Sequence, residues 1–240
     1  MNSTEMTLAP DKTISKRRKA CSHVPGLLTI YTWAGDKDKI NRHLPIWKRS
    51  GLEIQFCSPS EAPCHLGGMT YGRSESYGPD HLKLVWDGLR LAYARNFPYY
   101  VFNEADSLVL RPSLPPPGPG LFCFVFGDSG TEFKGSQFFH YAWWMDRETL
   151  GRIIEAVNKY PLDIEKGFQD RALGFIAGIE GIEVHHAEDF IYSRNTIEKE
   201  EDFAAIRAKA STIRYIHGIK TEEQLSRVRQ CLSDQPDTIL

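Results

Sequence analysis

The chain has 240 residues, long enough for one large domain or two small ones. Apolar residues make up 41% and charged residues 25%, and the formal net charge is -2, an ordinary globular mix. That balance gives no sign of a surface that tracks a phosphate backbone, and no apolar run is long enough to span a bilayer.

Residues 1–25 are polar and end near the basic run Lys16, Arg17, Arg18, Lys19. They lack the apolar core of a signal peptide and read as a loose, solubilising arm. Cys21, Cys57, Cys64, Cys123 and Cys231 are scattered and odd in number. They fit reduced thiols in a reducing, cytoplasmic compartment, and a Cys57–Cys64 bridge is disfavoured.

The folded part is expected to start at GLLTIYTWAG. Leu27 to Tyr31 is an apolar, β-branched run between glycines and predicts a buried strand. In the next segment Ile40, Leu44 and Trp47 share one helical face, Gly51 ends the element, and Pro45 predicts an irregular break. LEIQFCS is a second strand, so the start is a βαβ unit of an α/β protein. The stretch from Ser58 to Asp80, rich in Gly, Pro and Ser, predicts loop. Leu82, Val85, Trp86, Leu89 and Tyr93 then recur at helical spacing, with Asp80 as N-cap. PYYVFNEADSLVL is a strand passing into a turn, RPSLPPPGPG a rigid connector and LFCFVFG a strand.

In the second half, Phe138 to Trp144 reads as a strand and RETLGRIIEAVNKY as an amphipathic helix. A shorter helix covers Gln169 to Ile176, a short strand Ile182 to His185, and a helix Phe203 to Ala208. STIRYIHGIK is a strand ending in a glycine turn. TEEQLSRVRQCL is a closing helix, with Thr221 and Gln224 spaced as a capping box. There is no internal repeat.

The chemistry-bearing candidates start with Glu104 and Asp106. Two residues apart in an extended backbone, they share one side, at the carboxyl end of an apolar strand. Open α/β sheets take their ligands at that end. Two hard oxygen donors suit Mg²⁺ or Mn²⁺ bridging a diphosphate, although an acidic turn after a strand is common without one. His217 offers an imidazole ligand and Lys220 a point charge for phosphate, or together they form a plain surface turn. Asp170 reads two ways: a first-turn charge favoured by the helix dipole, or a general base. Thr32 and Trp33, after the first strand, are candidates for receiving a base and ribose, with core packing the alternative for Trp33. Lys83 is within reach of a phosphate or of the acidic pair. His140, Trp143 and Trp144 offer aromatic faces to a sugar or simply form core. His185 and His186 diverge if they lie in a strand, which argues against a two-histidine metal site.

Taken in order, the strand LLTIYTW, the helix HLKLVWDGLRLA, the strand YYVFNEAD, the helix start QDRALG and the terminal IHGIK resemble a glycosyltransferase of the GT-A fold, over about Leu27 to Lys220. The order is similar to that of the small single-domain transferases that large algal viruses use on capsid glycans. The resemblance implies a single Rossmann-like domain with a mixed central sheet flanked by helices. Residues 26–126 would be the nucleotide-sugar-binding half and residues 127–240 the acceptor-binding half. Glu104-Ala105-Asp106 stands where the family has Asp-x-Asp, with Asp106 the surer ligand because Glu104 has the longer reach. His217 matches a third metal ligand and Lys220 a diphosphate contact. Asp170 matches the base of members that invert configuration. Thr32, Trp33, Asp80, Lys83 and Lys220 would serve the donor, with Mn²⁺ or Mg²⁺ as cofactor and a glycan or other hydroxyl as acceptor. No nucleic-acid partner is expected. Two other functions fit less well. A nucleotidyltransferase wants a glycine-rich basic loop after the first strand, where this chain has TWAGDKDK. A non-catalytic α/β module would need none of these residues.

Overall fold

The computed structural model describes residues 26–32, 36–59, 69–71, 79–111, 118–126, 138–160 and 169–235. The basic arm, Trp33, Cys64 and residues 112–117 of the Pro-rich connector lie outside them.

Strand β1 (Leu27–Tyr31) is buried at every residue. Helix α1 (Lys37–Arg49) follows, then β2 (Glu53–Pro59), and β1 and β2 pair in parallel, giving the expected βαβ unit. α1 continues through Pro45 to Arg49, against the expected break. Pro45 and Asn41, whose carbonyl loses its partner, are both exposed, on the side of the helix that is open to solvent. The opposite face buries Ile40, His43, Ile46 and Trp47, which outweighs one lost backbone bond. A short strand, β3 (Met69–Tyr71), lies inside the stretch expected to be loop. At three residues it is too short to leave a periodic signal.

Helix α2 (Pro79–Ala94) places proline in its first turn, where a missing N–H costs nothing. It therefore starts one residue before Asp80, the expected N-cap. β4 (Tyr99–Glu104) is covered on both faces, and its first five residues are buried. Ala105 and Asp106 turn the chain into β5 (Ser107–Val109). β6 (Leu121–Phe126) and β7 (Phe138–Asp146) form an antiparallel pair. In α3 (Arg147–Lys159), Asp146 is the N-cap and accepts from Thr149 N at 2.9 Å. Its other oxygen accepts from Gly120 N at 3.0 Å and ties the helix start to the base of β6. Then come α4 (Gln169–Ile179), β8 (Val184–His186), β9 (Ile191–Ser193), α5 (Glu200–Ala208), β10 (Tyr215–His217) and α6 (Glu222–Leu232). The Thr221–Gln224 capping box on α6 forms as expected. β9 had no counterpart among the expected elements.

The main sheet has seven strands in the order β3-β2-β1-β4-β7-β6-β8, and a smaller sheet has the order β5-β10-β9. β1 to β4 run parallel, while β7 is antiparallel to β4 and β6, which makes the main sheet mixed. Alternate residues divide between its faces. Leu27, Tyr31, Phe102 and Trp143 pack with α2, α3 and α4, and Leu28, Ile30, Val101 and Trp144 pack with α1. The small sheet packs through Leu108 and Ile216 with Phe203 of α5 and Val228 of α6. Among the described residues, no helix is long and apolar enough to cross a membrane.

Candidate metal centre

The strand order fixes where a ligand would enter. From β1 the chain goes to β2 and β3 on one side and returns with β4 on the other. The crevice between the carboxyl ends of β1 and β4 is therefore the switch point of the sheet, where open α/β sheets bind ligands. Tyr31 and Glu104 lie directly across it.

His217 comes to the same place from the small sheet. β10 pairs with β5 so that His217 faces Ser107, next to the acidic turn. Gly218 N and Ile219 N then both donate to Asp106 O, at 3.2 and 2.9 Å. Gly218 has φ +102, and a Cβ there would stand 2.3 Å from Arg194 O, so only glycine allows this approach.

Glu104, Asp106 and His217 consequently offer ligand atoms that all lie within 4.8 Å of one another. His217 Nε2 is 3.3 Å from Glu104 Oε2 and 3.2 Å from Asp106 Oδ1. Neighbouring ligands of an octahedral ion with bonds of about 2.1 Å sit about 3 Å apart, so the spacing suits a small divalent cation. The rest of the ring is oriented as a ligand needs. Ser193 Oγ donates its only proton to Tyr141 O at 2.7 Å and lies 3.3 Å from His217 Nδ1. Nδ1 therefore carries a proton and donates to Ser193, and Nε2 is the atom turned to the carboxylates. Two carboxylates and one imidazole fit Mn²⁺ well and Mg²⁺ acceptably.

The three groups are strongly coupled. Burial raises the Asp106 carboxyl, but the His217 charge and hydrogen bond, with Lys39 and Lys220 farther off, bring it below the usual carboxylate range. Burial lowers the His217 imidazole, but Asp106 and Glu104 more than reverse that, so Nε2 holds a proton that a metal would displace.

Asp170, in the first turn of α4, is brought to the same neighbourhood. Burial first, and then the nearby charge of Glu104, push its carboxyl up to about 7, although its Oδ1 accepts from Arg171 N at 3.0 Å. The Lys220 side chain is exposed, yet its charge reaches Asp106. Thr32 follows Tyr31 at the crevice but is enclosed, and among the described residues its Oγ1 has no hydrogen-bond partner. Lys83 is exposed, and Asp87 takes up its Nζ. The Asp80 and His140 side chains lie outside the described residues, as does Trp33. Trp143 and Trp144 are fully enclosed on opposite faces of β7 and present no surface to a sugar. His185 stacks on Phe122 with centroids 4.3 Å apart, and His186 Nδ1 accepts from Val125 N at 2.9 Å, so the two rings do diverge.

No protein-family model matches the chain, and no curated protein matches it significantly. A solved structure that it resembles is the crystal structure of a glycosyltransferase involved in the glycosylation of the major capsid of PBCV-1. Identity is 10%, over 85% of this chain and 98% of that one, and the TM-score is 0.46. A likeness of that size speaks to neither residues nor reaction, and the site stands on its own geometry.

Sequence reasoning missed two residues here. Lys39, in the first turn of α1, holds Asp36 Oδ1 at 2.6 Å. Burial alone would lower its ammonium; Asp36, with Asp106 and Glu104 behind it, turns the shift upward. Its only signal was a lysine at a helix start beyond a strand end. Ser193 had none, because no Gly or Pro beside β9 marks it as an element.

Proposed function

We propose that this chain is a metal-dependent glycosyltransferase that moves a sugar from a nucleoside-diphosphate sugar to a hydroxyl acceptor such as a glycan. The observation that carries the reading is the meeting of Glu104, Asp106 and His217 at the switch point of the sheet. Asp106 and His217 would hold Mn²⁺ or Mg²⁺, with Glu104 completing the set. A divalent ion bound here supplies positive charge to a leaving diphosphate. Lys39 and Lys220 flank Asp106 and add cationic charge for the same phosphates. The base and ribose would lie toward Thr32 and Trp33, at the end of β1. Residues 26–126 would then serve the donor and residues 127–240 the acceptor.

Asp170 is the candidate base. A carboxyl held near 7 is half ionised at neutral pH and accepts a hydroxyl proton more readily than an ordinary aspartate does. The acceptor would approach from the α4 side, because Trp143 and Trp144 are closed off. Cys57, Cys123 and Cys231 are free thiols, which suits a cytoplasmic location.

Calorimetry with Mn²⁺ and a panel of nucleotides tests the proposal, followed by turnover of nucleotide sugars. Loss of a residue that only supports a metal ligand already costs about 10–100-fold, so Asp106→Asn should weaken Mn²⁺ binding and turnover by about 100-fold or more. Glu104→Gln should cost less, about tenfold. Mn²⁺ binding unchanged in a folded Asp106→Asn protein would sink the metal assignment. Absence of any metal-dependent nucleotide binding by the wild type would sink the enzyme.

A further inference from the structure

The acidic turn is held from outside at three successive carbonyls. Asp106 O takes the amides of Gly218 and Ile219. The other two are held by one face of α1. His43 Nδ1 is 2.7 Å from Ala105 O, the carbonyl between the two acidic residues. Trp47 Nε1 donates to Ser107 O at 2.9 Å. His43 and Trp47 are one helical turn apart, so their side chains emerge on the same face. A third residue of that helix, Arg42, donates through Nη1 to Lys220 O at 2.8 Å, on the segment that follows His217. Gln224 Oε1 fixes the amide of the same Lys220 at 2.6 Å.

His43 is an uneconomical residue for this position unless its N–H is used. It is fully buried beside Ile46 and Trp47, where a leucine would pack without desolvating a polar ring. Burial keeps the ring neutral, so it has one N–H. Ala105 O can only accept, which places that proton on Nδ1. Among the described residues Nε2 has no partner. All the hydrogen bonding of this ring among those residues therefore goes into one carbonyl of the acidic turn.

We infer that α1 is the positioning element of the triad. His43 and Trp47 set the turn that carries Glu104 and Asp106, and Arg42 anchors the segment beyond His217. Carboxylates on an unsupported two-residue turn would wander by more than a coordination sphere tolerates. Two carbonyls pinned to a rigid helix remove that freedom before any ion arrives. These residues touch neither metal nor substrate; they act through the backbone of the ligands.

The inference rests on the metal reading of the triad, so the experiment has one arm that needs metal and one that does not. The full chain is compared with His43→Leu, His43→Asn and Trp47→Phe. The first arm is the Mn²⁺ dissociation constant by calorimetry. The second, in EDTA, is amide exchange of Gly218 and Ile219, whose N–H groups report whether Asp106 O stays in place. His43→Leu should weaken Mn²⁺ binding by about 10–100-fold and speed those two amides by about tenfold or more, with β1 amides unchanged. His43→Asn keeps an N–H near the same position and should recover most of both effects. Trp47→Phe keeps a ring, loses only the donor, and should show the same two effects more weakly; it carries the test if His43→Leu does not fold. Both readouts equal to wild type in a folded His43→Leu, or no recovery in His43→Asn, would overturn the inference. If the wild type binds no Mn²⁺, the metal reading falls alone. The exchange arm then decides: faster and recovered amides uphold α1 as the positioning element of the turn, and unchanged amides refute it.

Discussion

At the scale of single residues, Asp170 has the clearest titration signature. Its carboxyl is raised from an ordinary 3.8 to about 7 in the folded chain, by burial first and the Glu104 charge after it. The sign follows from the raised value. Below pH 3.8 the folded and unfolded chains both hold the proton. Between there and 7 the unfolded chain has released it while the folded chain keeps it, so stability falls as pH rises, and the loss is complete above 7. The carboxamide of D170N does not titrate, and its oxygen can still accept from Arg171 N. The two proteins should therefore be equally stable near pH 4, with D170N ahead by on the order of 2 to 4 kcal/mol at pH 8. Urea melts in EDTA at several pH values read this directly. A stability difference that stays flat with pH would mean that Asp170 is ionised throughout. The same substitution should remove transfer activity, so one variant separates a carboxyl kept for chemistry at a cost in stability from one kept for structure.

At the scale of elements, α1 shows where local sequence rules and tertiary packing disagree. Pro45 argued for a break, yet the helix continues to Arg49. An interior proline costs about 3 kcal/mol, and restricting the unfolded chain returns up to about 1. Because Pro45 is exposed, P45A should add about 2 kcal/mol of stability without touching the buried face. A lower midpoint in a urea melt of P45A would show that the proline bends α1 into the position from which His43 and Trp47 reach the turn. The longer elements were legible because each repeats its signal: Leu27, Leu28, Ile30 and Tyr31 in β1, and Leu150, Ile153 and Val157 along α3. β3 and β9 were not legible: Met69–Tyr71 sits inside a stretch rich in Gly, Pro and Ser, and Ile191–Ser193 has no Gly or Pro beside it to mark an element boundary. β9 matters more, since it brings Ser193 to His217. The role of α1 was hidden for a different reason. His43, Trp47 and Arg42 all bond to backbone carbonyls, and a carbonyl acceptor puts no constraint on the residue type that bears it.

At the scale of the whole molecule, Glu104, Asp106, His217 and Asp170 could be nominated from residue type and their positions after strands and at a helix start. That they meet could not be read from the chain, because it depends on β10 pairing with β5 and on α4 packing against the sheet. The proposed division into a donor half and an acceptor half at residue 126 likewise does not follow folding units. β7, from the second half, lies between β4 and β6 of the first. The largest core cluster runs from Leu27 through Trp143 and Leu173 to Ile182. Neither half can therefore bury its apolar surface alone: without β7, β4 would expose an edge of unpaired backbone and lose Trp143 and Trp144 from its two faces. The chain should unfold in one transition. Far-UV circular dichroism, which follows the backbone, and near-UV dichroism, which follows the enclosed indoles Trp47, Trp143 and Trp144, should give superimposable urea curves. A fragment of residues 1–126 should stay unfolded by both probes. Two separated transitions, or a fragment that folds, would mean that the donor half is an autonomous unit and that the acceptor half was added to it.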